Sequence, residues 1–306
     1  MLLAAIPPGP IQRSIPAPGA DNTSEIAGKK PVSRHRGASW RAQAGAIAFA
    51  LLLVSTGGAA EELRIGGTGA ALGTMQLLAR EFTDKNPDIR LTIVPGLGSG
   101  GSVRAVAAGG IGLGVTSRPM NESERKLGAE EIEYARTPFV FAVSAKSAVT
   151  AITAGELADI YAGRKTAWAD GSPVRIVLRP ASDIDTEIVR SISAGVRVGL
   201  VAAQARPGVN LSVTDQDAAD SLEKIPGAIG PSTLALILSE KRALRALQFD
   251  GRNPTLMNAA SGAYPYYKRL FLVIGAKRSA AAERFVAFMQ SPAGQKILVD
   301  NGQWIP

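Results

Sequence analysis

Between Leu63 and Val115 the chain alternates short apolar runs with amphipathic stretches, joined by loops of Gly, Ser and Thr. No other feature of the sequence restricts the fold as tightly. Leu63-Arg-Ile65 reads as a strand and leads through Gly66-Gly-Thr-Gly-Ala70 into a helix over about 71–83. In that helix Leu72, Met75, Leu78, Ala79 and Phe82 fall on one face. Asn86-Pro87 stops it, and Ile89-Arg-Leu-Thr-Ile-Val94 alternates as a second strand. A Gly/Ser loop, a short helix beginning near Ser102 and the strand Ile111–Val115 complete the series. Repeated strand, loop and helix predict an α/β body with parallel strands.

The alternation resumes further on. Phe139–Val143 reads as a strand, and Thr153-Ala-Gly-Glu156 as a capping box opening a helix through Tyr161. Val174–Leu178 is a strand that leads to a helix start at 182–186; Asp215–Leu222 and Ser232–Ser239 are helical, with a short strand at Ala228-Ile-Gly230 between them. Phe271–Ile274 returns as a strand, Ala280–Gln290 as a helix, and Ser291-Pro-Ala-Gly294 opens the last one. The blocks at about 63–140 and 150–262, with the final elements returning to the first, predict two lobes with a cleft between them. Trp168, Tyr264, Tyr266 and Tyr267 read as packing residues.

The first 60 residues have a different character. Residues 1–33 are rich in proline, lack aromatic residues and show no periodicity, so they read as a disordered or mis-started extension. Residues 34–60 read as a secretory signal: Arg34, Arg36 and Arg41, then the apolar run Ala42–Val54, then small residues ending at Ala60. That run has 13 residues, short of the ~20 that span a bilayer. Cleavage after Ala60 leaves 246 residues, enough for two lobes. The leader holds six Lys/Arg and two Asp/Glu, so the net charge of +8 falls to +4 beyond it. A nucleic-acid partner loses its support with that charge. The chain has no cysteine, and its one histidine, His35, lies in the leader. Disulfides, histidine-based triads and the common zinc sites are thereby excluded from the secreted part, and no metal or cofactor is expected.

Two clusters rich in Ser, Gly and Thr carry the candidate chemistry. Ser99, Gly100 and Gly101 precede one helix, and Ser117-Arg118 end the next strand. Glycine lets backbone N–H groups approach a ligand, hydroxyls add neutral donors, and a helix start adds its positive dipole end. This combination holds an anion without metal or covalent chemistry. Thr68 with the N–H groups of Gly69 and Ala70 offers the same at the first helix. The glycine pattern there is a weak dinucleotide signal, because Val94 runs into Pro95-Gly96 where a ribose-binding acid is needed. In the second block Arg179 stands at a strand end and Ser182-Asp-Ile-Asp-Thr186 at a helix start. Arg179 can grip an oxyanion in bidentate fashion. Asp183 and Asp185 can cap the helix or accept a ligand's proton; as a catalytic pair their i, i+2 spacing is poor.

Four stretches resemble the phosphate-binding type of periplasmic substrate-binding proteins, the soluble receptors of ABC uptake systems. They are Gly98–Ser102, Gly114–Met120, Ile160–Pro173 and Phe285–Gln295. The resemblance implies a type II periplasmic-binding-protein fold, with lobe 1 at 61–143 and 265–306 and lobe 2 at 144–264. It further implies a non-enzymatic, monomeric receptor in the periplasm that hands phosphate or a related oxyanion to an ABC permease. Thr68, Gly69, Ala70, Ser99, Gly100, Gly101, Ser117, Arg118, Arg179, Ser182, Asp183 and Thr186 are the implied ligand-binding residues. The family's Arg-x-x-x-Ser-Gly-Thr segment reads Arg179-Pro-Ala-Ser-Asp-Ile-Asp185 here, so its donors are out of register. A secreted sensor module and a phosphatase-like enzyme are the competing readings.

Overall fold

The computed structural model describes residues 60–306; the expected extension at 1–33 and the signal segment up to residue 59 lie outside them. The chain runs through β1 (Glu61–Gly67), α1 (Gly69–Lys85), β2 (Ile89–Val94), α2 (Gly98–Ala107), β3 (Leu113–Thr116), α3 (Glu122–Arg125) and the long β4 (Glu130–Ser144). Then come β5 (Ala151–Ile152), α4 (Ala154–Ala162), β6 (Arg175–Leu178), α5 (Ile184–Ser191), α6 (Ala194–Ala205), β7 (Asn210–Leu211) and α7 (Asp215–Lys224). β8 (Ala228–Thr233), α8 (Leu234–Ser239), β9 (Leu244–Ala246), β10 (Gln248–Phe249) and α9 (Leu256–Ala260) precede β11 (Tyr267–Ile274), α10 (Ala280–Gln290) and α11 (Pro292–Asp300).

The main sheet has nine strands in the order β2-β1-β3-β11-β4-β8-β6-β7, with β9 added on β4. Parallel pairing holds within two triplets only: β1 with β2 and β3, and β6 with β7 and β8. Between them β11 runs antiparallel to β3 and β4, and β4 antiparallel to β8, so the sheet is mixed rather than parallel throughout. Each triplet places its first strand in the centre and the next two on opposite sides. The strand order therefore reverses at β1 and again at β6, and a crevice opens at the carboxyl ends of both.

The buried side chains form two main cores on this continuous sheet. One gathers residues from Leu63 to Val115 together with Leu272 to Leu298, and contains the edge-on Phe82–Phe285 pair at 5.3 Å. The other gathers residues from Phe139 to Tyr264. Trp168 is buried in the second and donates its Nε1–H to Gly227 O at 3.0 Å; Tyr264 donates to Phe139 O at 2.8 Å. Tyr266 packs edge-on against Tyr264, and Tyr267 against Trp304, so all four aromatics pack as their sequence context predicts.

Candidate anion-binding cleft

Four helix starts and two strand ends converge on one cleft of about 370 Å³. On one wall stand Thr68 and Gly69 at the start of α1, Ser99, Gly100 and Gly101 in the first turn of α2, and Ser117-Arg118 after β3. On the other stand Arg179 after β6, Ser182 and Asp183 before α5, and Thr214, Asp215 and Gln216 at the start of α7.

The first wall is built from hydroxyls. Thr68 Oγ1 donates to Ser117 Oγ at 3.1 Å, and Ser99 Oγ lies 3.3 Å from the same oxygen. Ser117 also donates its backbone N–H to Ser99 Oγ at 3.1 Å. Three elements thus bring three hydroxyls to one point. Neither Thr68, the N-cap of α1, nor Leu97, the N-cap of α2, caps its own helix with a side chain. The first N–H groups of both helices have no partner within their helix and face the positive dipole end outward. Gly67 makes this geometry possible. Its φ is 154°, and a Cβ there would overlap Val115 O, to which the neighbouring Thr68 N–H donates at 2.9 Å.

Two expected ligand residues face elsewhere. Ala70 is buried within α1 and does not line the cleft. Thr186 also stays outside it, donating its hydroxyl to Arg179 O at 3.1 Å and so tying α5 to the end of β6. The helix expected near Ser102 begins at Gly98, and Ser102 Oγ is committed to Gly66 O at 2.8 Å. Because α2 starts early, Ser99, Gly100 and Gly101 lie in its first turn rather than in the loop before it.

Arginines on the walls are partly occupied. Arg118 makes a bidentate pair with Glu124, both contacts at 2.7 Å, which holds the Glu124 carboxyl below its ordinary value. Arg179, only 3% exposed at its side chain, donates to Ser212 O at 2.9 Å and to Asp183 Oδ2 at 2.7 Å. Its guanidinium is therefore largely spoken for by the protein, and a bidentate grip on a ligand is not available to it without rearrangement. Asp183 caps α5 through Asp185 N at 2.9 Å, as its position predicts, while its other oxygen holds Arg179.

Sequence reading did not reach Arg104, Thr214, Asp215 and Gln216, which also line the cleft. Thr214 and Asp217 form a capping box on α7, and that box follows a strand as Ser99 follows β2. The strand is only two residues long, which hid the correspondence. Asp215 receives Lys268 Nζ at 3.1 Å. Burial pushes the Asp215 carboxyl up, but Lys268 and Arg179 together more than reverse this and leave it below its ordinary value. Gln216 bridges the walls, donating to Gly69 O at 3.0 Å and to Glu240 Oε1 at 2.7 Å. Among the described residues no group of His, Cys, Asp and Glu is arranged to hold a metal, and no helix is long and apolar enough to cross a membrane.

The chain is similar to several known proteins. Phosphate-binding protein PstS of Bacillus subtilis is 25% identical over 259 residues, covering 81% of each chain. A Clostridium perfringens protein described as a phosphate ABC transporter substrate-binding protein, solved with bound phosphate, superposes with a TM-score of 0.68. It is 21% identical, with 80% of this chain and 100% of that one covered. The periplasmic molybdate-binding protein of Azotobacter vinelandii gives a TM-score of 0.57 at 18% identity over 80% of this chain and 99% of its own. The model of the PBP superfamily domain matches residues 54–293, most of the chain. The chain belongs to the PBP superfamily.

Proposed function

We propose that this protein is an extracytoplasmic receptor that captures phosphate or a related oxyanion in the cleft and delivers it to an ABC permease. The observation that carries this reading is the convergence of Thr68, Ser99 and Ser117 hydroxyls with the uncapped starts of α1 and α2. Neutral donors and helix dipoles bind an anion reversibly, which suits a carrier that must release its cargo. Residues 61–143 with 265–306 are expected as one lobe and 144–264 as the other; two separate cores support a division into two, but Phe139, Phe141 and Val143 pack in the second core, which moves the first boundary back into β4. The crossovers are the middle of β4 and the start of β11, where Lys268 pairs in register with Thr137. The protein binds and does not turn over its ligand, acts as a monomer and works in the periplasm after its signal is removed.

Thr68, Gly69, Ser99, Gly100, Gly101 and Ser117 form the primary oxyanion seat in this proposal, with Arg118, Ser182 and Asp183 at its rim. A thermal-shift screen with phosphate, sulfate, molybdate and phosphonates tests it. At least one oxyanion raises the melting temperature in a concentration-dependent way. A flat response to all of them removes the oxyanion reading.

A further inference from the structure

The floor of the cleft carries unequal numbers of positive and negative groups. Arg179 and Lys268 are the cations; Asp183, Asp185 and Asp215 are the carboxylates. Lys268 Nζ lies 2.5 Å from Asp185 Oδ1 and 3.1 Å from Asp215 Oδ1. Arg179 reaches Asp183 at 2.7 Å, Asp185 at 3.4 Å and Asp215 at 3.5 Å. Lys268 and Asp185 are each 1% exposed at their side chains. With every carboxylate ionised, three negative charges face two positive ones; Asp183 and Asp215 keep 22% and 10% of their side chains exposed, so Asp185 is the carboxylate shut off from water.

Asp183 and Asp215 line the cleft, and Asp185 lies behind them. Every neighbouring element presents a charged or titratable group to Asp185. β11 contributes Lys268, the end of β6 Arg179, the α5 cap Asp183, α7 Asp215, and α4 the buried phenol of Tyr161. Burial, against the pull of Lys268, raises the Asp185 carboxyl to about 6. A bound oxyanion adds negative charge above a cluster that is already negative. The least solvated carboxylate is then the one for which ionisation costs most.

We infer that the cleft takes up a proton together with its anion, and that Asp185 carries it. Solvent supplies the proton, the Asp185 carboxylate becomes a carboxylic acid, and no other bond changes. The inference rests on the oxyanion reading above and deepens it. The receptor holds its ligand more tightly on the acid side of neutrality, through a group that never touches the ligand. Lys268, on a crossover strand, is the positioning residue that keeps Asp185 and Asp215 beside each other.

Calorimetry on the secreted chain at pH 7, in two buffers of different ionisation enthalpy, tests this with sodium sulfate and inorganic phosphate. Sulfate holds no proton near neutrality, so its uptake is the protein's alone; for phosphate, the wild type minus Asp185→Asn difference gives the same quantity. The expected uptake is about half a proton per anion, with Kd for sulfate weakening about fivefold from pH 6 to 8. Asp185→Asn abolishes both effects. Should that variant fail to fold, the infrared difference spectrum of the wild type on anion addition must gain a protonated-carboxyl band. Binding with buffer-independent heats and no such band overturns the inference and leaves the receptor reading intact. Absence of binding by any oxyanion removes both together.

Discussion

At the residue scale, hydroxyls and carboxylates in the cleft divide the work of holding an anion and telling anions apart. Ser117 is buried at the meeting point of Thr68 and Ser99, so Ser117→Ala removes one donor and leaves two hydroxyls without their neighbour. A hydrogen bond to a charged group contributes about 1.5–3 kcal/mol, so both phosphate and sulfate bind about 10–100-fold more weakly in that variant. Asp183→Asn behaves differently. It loosens Arg179 for either anion, but removes an acceptor only for the anion that carries a proton. Phosphate affinity therefore falls more than sulfate affinity in calorimetry, and equal losses would deny Asp183 any part in selectivity. The hydroxyl wall was legible in the sequence because Ser and Thr beside Gly, between a strand and a helix, can do little but present donors. The state of Arg179 was not. Its Nη1 and Nη2 are held by Ser212 O and Asp183 while its buried Nε makes no hydrogen bond, and one of those partners is 33 residues away.

At the scale of elements, local signals that satisfy the backbone were read well. The capping box at Thr153 and Glu156 opens α4, and the apolar face of α1 is buried at each position the periodicity selects. Several short elements, the first half of β4 and all of α6 escaped, the last two for identifiable reasons. Only Phe139–Val143 of β4 reads as a continuous apolar strand; its first half carries Glu131, Glu133 and Arg136, with Glu131 paired to Arg125 and Glu133 to both Arg136 and Arg269. α6 shows no clean face, because Val198 and Val201 are 69% and 61% exposed. The turn from β1 to α1 gives the sharpest test at this scale. Gly67→Ala places a methyl group against the Val115 backbone, which cannot swing aside as a side chain can. Stability falls by at least about 2 kcal/mol, seen as a lower urea midpoint at unchanged m-value. A wild-type midpoint would show that β1 and β3 can part there without cost.

At the scale of the whole molecule, β4 and β11 make one sheet out of two triplets, so the walls move only by bending these strands. The walls meet where α1 and α7 begin. A Cβ on Gly69 would come within 2.8 Å of Asp215 Cβ, so this glycine sets how closely the walls approach. Gly69→Val wedges them apart and weakens oxyanion binding by roughly tenfold or more, since overpacking of this kind costs about 1–3 kcal/mol. Small-angle scattering with ligand then reports a larger radius of gyration than for the wild type. Unchanged affinity would mean that this contact plays no part in closure. The return of β11, α10 and α11 to the first core bears on how the chain is made. A ribosome delivers those elements last, yet Phe285, Met289 and Leu298 pack against Leu63, Met75 and Phe82. The half of the molecule that is synthesised first is therefore the half that finishes folding last, and its apolar surface stays open until the C-terminal residues emerge.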